Sequence, residues 1–115
     1  MKPIKRIGSN CRWSDVVVHA GVAYFVEVAE DRSLDVADQV RQVLAQMDKT
    51  LTQLGADRTR VLQVTIYLRT LDEAPIFNTL WDDFFPDGHA PVRACVQAGL
   101  SAGCEVEMSI IAAVS

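Results

Sequence analysis

The stretch His89-Ala-Pro-Val-Arg-Ala-Cys-Val-Gln-Ala-Gly-Leu100, followed by Cys104-Glu-Val-Glu-Met-Ser-Ile-Ile111, decides the fold that this chain is expected to adopt. Both segments are rich in small and branched apolar residues that alternate with polar ones, a pattern typical of β-strands. Each segment also carries a charged residue within its apolar run, Arg93 in the first and Glu107 in the second. Because charges are seldom buried unless they are paired, these two residues require a physical explanation.

Strand periodicity sorts the side chains of these two segments onto two faces of a sheet. The face expected to meet the helices carries Val92, Ala94, Val96 and Ala98 together with Val106, Met108, Ile110, Ala112 and Val114. The opposite face carries Arg93, Cys95 and Gln97 together with Glu105, Glu107, Ser109 and Ile111. If residues 100–103 connect the strands as a hairpin, Arg93 and Glu107 lie within reach of each other across the strands.

This spacing leaves two interpretations of the pair open. The first is a structural salt bridge on an exposed sheet face, which would contribute little to stability. The second is a site for a small anion and a water molecule. Arg93 offers a planar fork of donors that suits a carboxylate, and Glu107 is a candidate to hold and polarise the water.

The rest of the chain predicts an α+β fold in which two helices pack on one face of a mixed sheet. Alternating apolar residues predict strands, and apolar residues at helical spacing predict helices. The expected strands cover 2–7, 15–19, 22–28, 60–69, 92–98 and 105–114, and the expected helices cover 34–54 and 72–84. Ala20-Gly21 is typical of a hairpin turn, Gly55 of a helix end, and Pro75 of a first helical turn.

Length and composition restrict the class of protein. A chain of 115 residues has a single-domain length, and we expect one domain over residues 1–115. Its formal net charge of -4 gives no general attraction for nucleic acid or anionic lipid. Three cysteines without a CxxC pair indicate reduced thiols in the cytoplasm and no metal site. No apolar run is long enough for a signal peptide or a membrane span.

Two helices on one face leave the other face of the sheet without cover. That face is expected to expose Ile111, Ala113 and Tyr67, an apolar surface that a monomer would present to water. Self-association is the simplest remedy, and in a symmetric oligomer the face with Arg93 and Glu107 would become a cleft between subunits.

Four segments of the chain resemble the reactive intermediate deaminase (Rid) family. They are Arg12-Trp-Ser-Asp-Val-Val17, Asn78-Thr-Leu-Trp81, Ala90-Pro-Val-Arg-Ala-Cys-Val-Gln-Ala-Gly-Leu100 and Val106-Glu-Met108. The resemblance implies a chorismate-mutase-like α+β fold, assembled as a homotrimer whose sheets line a central barrel, with clefts between subunits. It also implies hydrolysis of reactive 2-imino or 2-enamino acids, such as 2-iminopropanoate or 2-iminobutanoate, to 2-oxo acids and ammonia without a metal or cofactor.

The same resemblance assigns roles to individual residues. It implies that Arg93 holds the substrate carboxylate, that Glu107 activates water, and that Cys95 and Asn78 line the pocket. Ser14 stands where a tyrosine is common in the better-known branch of the family. Glu27 lies where that branch has a glycine-containing turn, so it either lines the cleft and selects substrates or faces solvent at a strand end.

Other functions remain open at this stage. The same cleft would also serve a binding or regulatory module that senses a 2-oxo acid or amino acid without turnover. Covalent catalysis by Cys95 is disfavoured because neither histidine is linked to it by the sequence pattern. Ribonuclease activity or translation inhibition, described for some relatives, is opposed by the acidic charge. For Trp13 and Asp15 we expect a structural role in the N-terminal loop.

Overall fold

The structure is a computed structural model that describes all residues from Met1 to Ser115. It contains six strands and two α-helices in the order that the sequence predicts. The strands are β1 (Ile4–Ile7), β2 (Val16–His19), β3 (Val22–Val28), β4 (Val61–Leu68), β5 (Val92–Gln97) and β6 (Val106–Ala113), and the helices are α1 (Val36–Gln53) and α2 (Ala74–Asp82). The predicted α+β class, with two helices and a mixed sheet, is confirmed.

Local signals placed the first hairpin and the long helix correctly. Ala20 and Gly21 both have positive φ angles, 51° and 77°, as a tight hairpin turn requires, and they join β2 to β3. The carboxylate of Asp35 caps α1 by accepting a hydrogen bond from the backbone N–H of Asp38 at 2.9 Å. Gly55 follows the helix with a φ angle of 75°, which favours glycine.

The sheet order is β1-β2-β3-β6-β4-β5, so the predicted hairpin between the last two strands is wrong. β4 lies between β5 and β6 and pairs with β6 antiparallel and with β5 parallel. A parallel pair needs a crossover connection, which α2 supplies. β6 is buried at every second residue and half-buried at the others, whereas β5 is mostly exposed. The more apolar strand therefore takes the centre of the sheet, and β5 becomes an edge.

The predicted faces are correct for β6 and wrong for β5. Val106, Met108, Ile110 and Ala112 are buried against the helices, as expected. Arg93 is registered with Val64, a core residue of β4, and its guanidinium lies over the rings of α2. Arg93, Cys95 and Gln97 therefore lie on the helix side, while Val92, Ala94 and Val96 lie on the open side. The helix layer is thin above this edge strand, so polar side chains are tolerated there.

The core fills the space between the sheet and the two helices. From α1 it takes Val40, Val43, Leu44, Met47 and Leu51, and from α2 and the turn after it Phe77, Trp81 and Phe84. Leu62 of β4 is exposed, because an irregularity between Val61 and Gln63 shifts the register of the strand.

No element of the chain covers the open face of the sheet. Its exposed apolar side chains include Tyr24 and Val26 of β3 and Val92 and Val96 of β5, each more than 40% accessible. The expected uncovered apolar surface is therefore present, although its members differ in part from those that the sequence indicated. Neither helix has the length and apolar character that crossing a membrane demands.

Candidate functional site

The structure divides the predicted site residues into two groups and one separate carboxylate. Arg93, Cys95 and Asn78 lie at the edge where β5 meets α2, and we call them the β5–α2 cluster. Ser14 and Glu27 line a cavity at the end of β3, which we call the β3 cavity. Glu107 lies on the open face of β6.

Arg93 and Glu107 do not form the pair that the sequence suggested. Two strand spacings separate β5 from β6, roughly 10 Å, and the two side chains leave the sheet on opposite faces. Glu107 is registered with Val28 on one side and Tyr67 on the other. A salt bridge between Arg93 and Glu107 within one chain is therefore excluded.

The guanidinium of Arg93 is held over aromatic rings and has no anionic partner. Its central carbon lies 5.3 Å from the Trp81 ring centroid and 5.7 Å from that of Phe77. The ion pairs of the chain involve Arg41, Arg58 and Arg69 but not Arg93. Contact with the rings fixes the position of the charge, while its N–H donors stay free for a ligand such as a carboxylate.

Cys95 lies on the same side of β5 as Arg93, and Asn78 follows Phe77, one of the two aromatic residues beneath the guanidinium, on α2. Cys95 is half-buried against the core, and burial raises the pKa of its thiol even though the charge of Arg93 acts in the opposite direction. The group is therefore a thiol rather than a thiolate near neutral pH, which suits a pocket wall better than a nucleophile. The side-chain oxygen of Asn78 is buried without a hydrogen-bond partner, so α2 carries an unsatisfied acceptor.

The β3 cavity has a volume of about 540 Å³, enough for a small organic molecule. Three segments distant in sequence line it: the loop before β2, the end of β3 with the turn after it, and the middle of α1. The lining residues are Trp13, Ser14, Asp15, Val26, Glu27, Val28, Glu30 and Gln46.

An ordered loop presents Trp13 and Ser14 at this cavity. The Asn10 side chain accepts hydrogen bonds from the backbone N–H groups of Arg12 and Trp13 at 2.8 and 3.1 Å, and the Ser14 hydroxyl lies 2.7 Å from that of Ser9. The Trp13 ring is 60% exposed at the rim of the cavity. The Trp13 ring contributes little to the core, and its expected structural role in the N-terminal loop stays a prediction.

Glu27 lies on the helix side of β3 and not in solvent. It is registered with Met108, a core residue, and its Oε2 atom is buried without a hydrogen-bond partner. Burial raises the pKa of Glu27 to about 7, and the nearby carboxylates of Glu30 and Asp15 act in the same direction, while Gln46 opposes them. Glu27 therefore lines a cavity instead of facing solvent at a strand end, and its part in selecting substrates stays a prediction.

Gln46 is a site residue that sequence reasoning missed. Its amide nitrogen donates to the carbonyl of Val28 at 2.7 Å, and its carbonyl accepts from the backbone N–H of Glu30 at 3.0 Å. These two bonds fix the end of β3 to α1 and so shape the cavity wall. The available signal was a glutamine next to Met47 on the apolar stripe of the helix, where a polar residue needs a partner.

No group of three or more histidine, cysteine, aspartate or glutamate side chains lies close enough to hold a metal ion. Although Asp15, Glu27 and Glu30 all line the β3 cavity, they do not form such a group. The arrangement therefore suits an organic ligand better than a metal ion.

The chain is similar to a known protein family and to several solved structures over nearly its whole length. A family model described as Endoribonuclease L-PSP matches residues 3–114. The RutC family protein YoaB of Escherichia coli (strain K12) is 40% identical over 112 residues, covering 96% of this chain and 98% of that protein. The crystal structure of an uncharacterized protein from Pseudomonas aeruginosa matches with a TM-score of 0.93 and 37% identity, covering 98% of this chain and 100% of that one. A putative translation initiation inhibitor from Salmonella typhimurium matches with a TM-score of 0.89 and 39% identity, covering 96% and 97%.

Proposed function

Since this chain belongs to the RutC, or reactive intermediate deaminase, family, we propose that it hydrolyses reactive 2-imino and 2-enamino acids to 2-oxo acids and ammonia. The observation that carries this proposal is Arg93, a fixed arginine without any anionic partner. A 2-imino acid supplies the missing partner through its carboxylate. The planar fork of the guanidinium holds that group by two parallel hydrogen bonds, which also orient the C2 carbon.

The two halves of the site come from neighbouring copies of the chain. β5 lies three strand spacings from β3, roughly 14 Å, so one small imino acid cannot touch Arg93 and the β3 cavity of the same chain. The open apolar face of the sheet supplies a surface through which copies associate. We propose a homotrimer, with the open faces turned inward and each substrate cleft between two subunits.

The reaction requires one water molecule and one group that accepts and returns a proton. Water attacks C2 of the iminium form of the substrate while Glu107 accepts a proton from it, which gives a carbinolamine. Glu107 then returns the proton to the amino nitrogen; as the C–N bond breaks, the C2 hydroxyl gives its own proton to the Glu107 carboxylate, and ammonia leaves a 2-oxo acid. The departing ammonia takes up that proton as ammonium, which returns Glu107 to its starting state. Because iminium carbons are already electrophilic, positioning by Arg93 with this modest proton transfer is sufficient. Asn78 and Ser14 contribute hydrogen bonds to the bound substrate, and Cys95 forms part of the wall.

The alternative is a small-molecule binding module that uses the same cleft without turnover. The observation behind it is that Arg93 has no carboxylate beside it within its own chain, so it can hold an anion whether or not a neighbouring copy brings Glu107 to the cleft. In either case the ligand is a small carboxylate, and no cofactor takes part. We further propose a cytoplasmic location, where the thiols of Cys11, Cys95 and Cys104, all unpaired in the structure, remain reduced.

The descriptions "Endoribonuclease L-PSP" and "putative translation initiation inhibitor" belong to the family model and to the Salmonella protein. The net charge of -4 does not favour contact with a phosphate backbone, so we do not propose nucleic acid as a partner.

The test follows the lifetime of 2-iminopropanoate generated in place from alanine by an amino-acid oxidase, with semicarbazide as a competing trap. The wild-type chain should accelerate ammonia release, and Arg93→Ala should abolish the effect while circular dichroism and oligomeric state stay unchanged. Arg41→Ala, which removes an exposed arginine on α1, is the matched control and should behave as wild type. Equal rates for wild type and Arg93→Ala would contradict the proposal. Tight 2-oxo acid binding by calorimetry without any turnover would establish the receptor instead.

A further inference from the structure

The β3 cavity combines negative charge with an aromatic wall, and the proposed reaction uses neither feature. Asp15, Glu27 and Glu30 all line it, and none of them forms an ion pair within the chain. No arginine, lysine or histidine is among its lining residues. The carboxylates of the β3 cavity therefore have no positively charged side chain beside them in its lining.

Glu27 is the member of this group that faces the inside of the molecule. Its Oε2 atom is buried and has no hydrogen-bond partner, although a polar atom taken out of water normally has one. On the far side it borders a second cavity, of about 260 Å³, whose lining also lacks a basic side chain. From α1 the residues that face these two cavities are Gln46, Thr50 and Gln53, which carry no charge. Neither of these two cavities therefore offers Glu27 a positively charged side chain.

Trp13 adds an observation that is independent of the carboxylates. The hydrogen bonds to Asn10 hold its loop in place, and its ring is 60% exposed at the rim of the cavity. An exposed tryptophan face attracts ammonium and guanidinium groups, because the ring carries negative charge density on its faces. A fixed aromatic ring beside carboxylates is a recurring arrangement for the recognition of organic cations.

We propose that Glu27 is a specificity-determining residue that binds a positively charged side chain of the substrate, a guanidinium or an ammonium group, against the Trp13 ring. The substrate class is then 2-imino acids formed by oxidation of basic amino acids. Arg93 of a neighbouring copy holds the carboxylate, and the β3 cavity holds the opposite end. This inference rests on the proposed function, and it specifies which imino acids the site prefers.

The decisive comparison uses two substrates of nearly the same shape. The imine made from arginine carries a guanidinium, and the imine made from citrulline carries an uncharged urea group in its place. In wild type, kcat/KM for the arginine imine should exceed that for the citrulline imine by about tenfold or more, as a charge-assisted contact in a half-buried cavity provides. Glu27→Gln should bring the ratio to within about twofold of one, mainly by lowering kcat/KM for the arginine imine.

Asp38→Asn is the matched control, because it removes one negative charge from an exposed position on α1 outside the cavity. It should keep the wild-type ratio. Trp13→Leu should reduce the ratio by a smaller factor than Glu27→Gln. A wild-type ratio near one, or a high ratio that Glu27→Gln leaves unchanged, overturns the proposal.

The pH dependence of the ratio gives a second readout that a merely structural role would not produce. Burial and the neighbouring Glu30 and Asp15 raise the pKa of Glu27 to about 7, so the carboxyl is neutral below that pH and charged above it. The ratio should therefore be larger at pH 8 than at pH 6 in wild type and flat in Glu27→Gln. A flat wild-type profile counts against the assignment.

Two further measurements separate this inference from its premises. If the alanine imine is hydrolysed in an Arg93-dependent way but the arginine and citrulline imines are equivalent, the proposed function stands and this inference fails. If no imine is hydrolysed, quenching of Trp13 fluorescence by arginine but not by citrulline, lost in Glu27→Gln, still supports a cation site. A change of oligomeric state in Glu27→Gln would instead show that the cation is a side chain of a neighbouring copy, and would overturn the proposal.

Discussion

Replacing Glu27 with glutamine should stabilise the folded protein at pH 8 much more than at pH 5. The wild-type carboxyl has its pKa raised from an ordinary value of 4.5 to about 7, first by burial and then by the charge of Glu30. Between pH 4.5 and about pH 7 the folded chain binds more protons than the unfolded chain. Wild-type stability therefore falls as the pH rises through this window, and it levels off above pH 7.

The size of the effect follows from the same pKa change. Each tenfold change in proton affinity corresponds to about 1.36 kcal/mol. The full change in pKa from 4.5 to about 7 therefore sets an upper limit of about 3.4 kcal/mol on the loss in free energy of unfolding. The side chain is only partly buried, and screening by solvent reduces this value to about 1–2 kcal/mol. Glutamine keeps the shape of the side chain and removes the charge. Relative to wild type, the Glu27→Gln variant should gain most of this free energy of unfolding between pH 5 and pH 8.

Urea unfolding followed by circular dichroism at several pH values measures this gain. Urea is preferable to guanidinium chloride because a guanidinium ion is itself a candidate ligand of the β3 cavity. The protein concentration must be held constant, since the proposed assembly would contribute to stability. Asp38→Asn controls for the loss of one negative charge and should show no such gain between pH 5 and pH 8. If Glu27→Gln and wild type keep the same stability difference at both pH values, the carboxyl is not buried as described and the reasoning fails.

Two further predictions concern the site and the assembly. Cys95→Ser should retain the rate of imine hydrolysis within about threefold in a steady-state assay. Under the proposed function the thiol forms part of the pocket wall and does not attack the substrate. A loss of several hundredfold would restore the nucleophile hypothesis. Val96→Asp places a charge on the open apolar face at a cost of about 2 kcal/mol or more per copy, so sedimentation should show smaller species. Ile76→Asp, a similarly exposed apolar position on α2, should leave the assembly intact, and equal behaviour of the two variants would contradict an interface on the open face.

Local signals predicted most elements of the fold, and non-local pairing explains what they missed. The hairpin at Ala20-Gly21 and the helix that ends at Gly55 depend on residues within a few positions, so periodicity and turn chemistry were enough. The position of β6 between β3 and β4 depends on competition among all the strands for the buried centre of the sheet. Proximity in sequence favoured a hairpin with β5, but the more apolar character of β6 favoured the centre of the sheet.

The site was predictable only in part for the same reason. The resemblance assigned a role to Arg93 and marked Glu27 as a departure from the better-known branch, and the structure gives both a setting that suits ligand binding. The wall of the β3 cavity could not be assembled from pattern, because Trp13, Glu30 and Gln46 come from three segments that meet only in the folded chain. Alternation along β5 was predicted correctly, but the choice of the open face for Arg93 was wrong. That choice assumed that helices cover the apolar side of this edge strand, whereas α2 covers only its other side, with aromatic rings that lie against Arg93.

The edge position of β5 also bears on how activity and assembly are connected. An arginine in the centre of the sheet would need an anionic partner from its own chain, and that partner would compete with the substrate. At the edge, Arg93 rests on Trp81 and Phe77 and keeps its donors free. The same position removes it from Glu27 and Glu107, so under the proposed function no single chain contains a complete site. If copies must associate to bring these residues together, a folded monomer such as the one expected from Val96→Asp should retain every side chain of the site and still fail to hydrolyse imines.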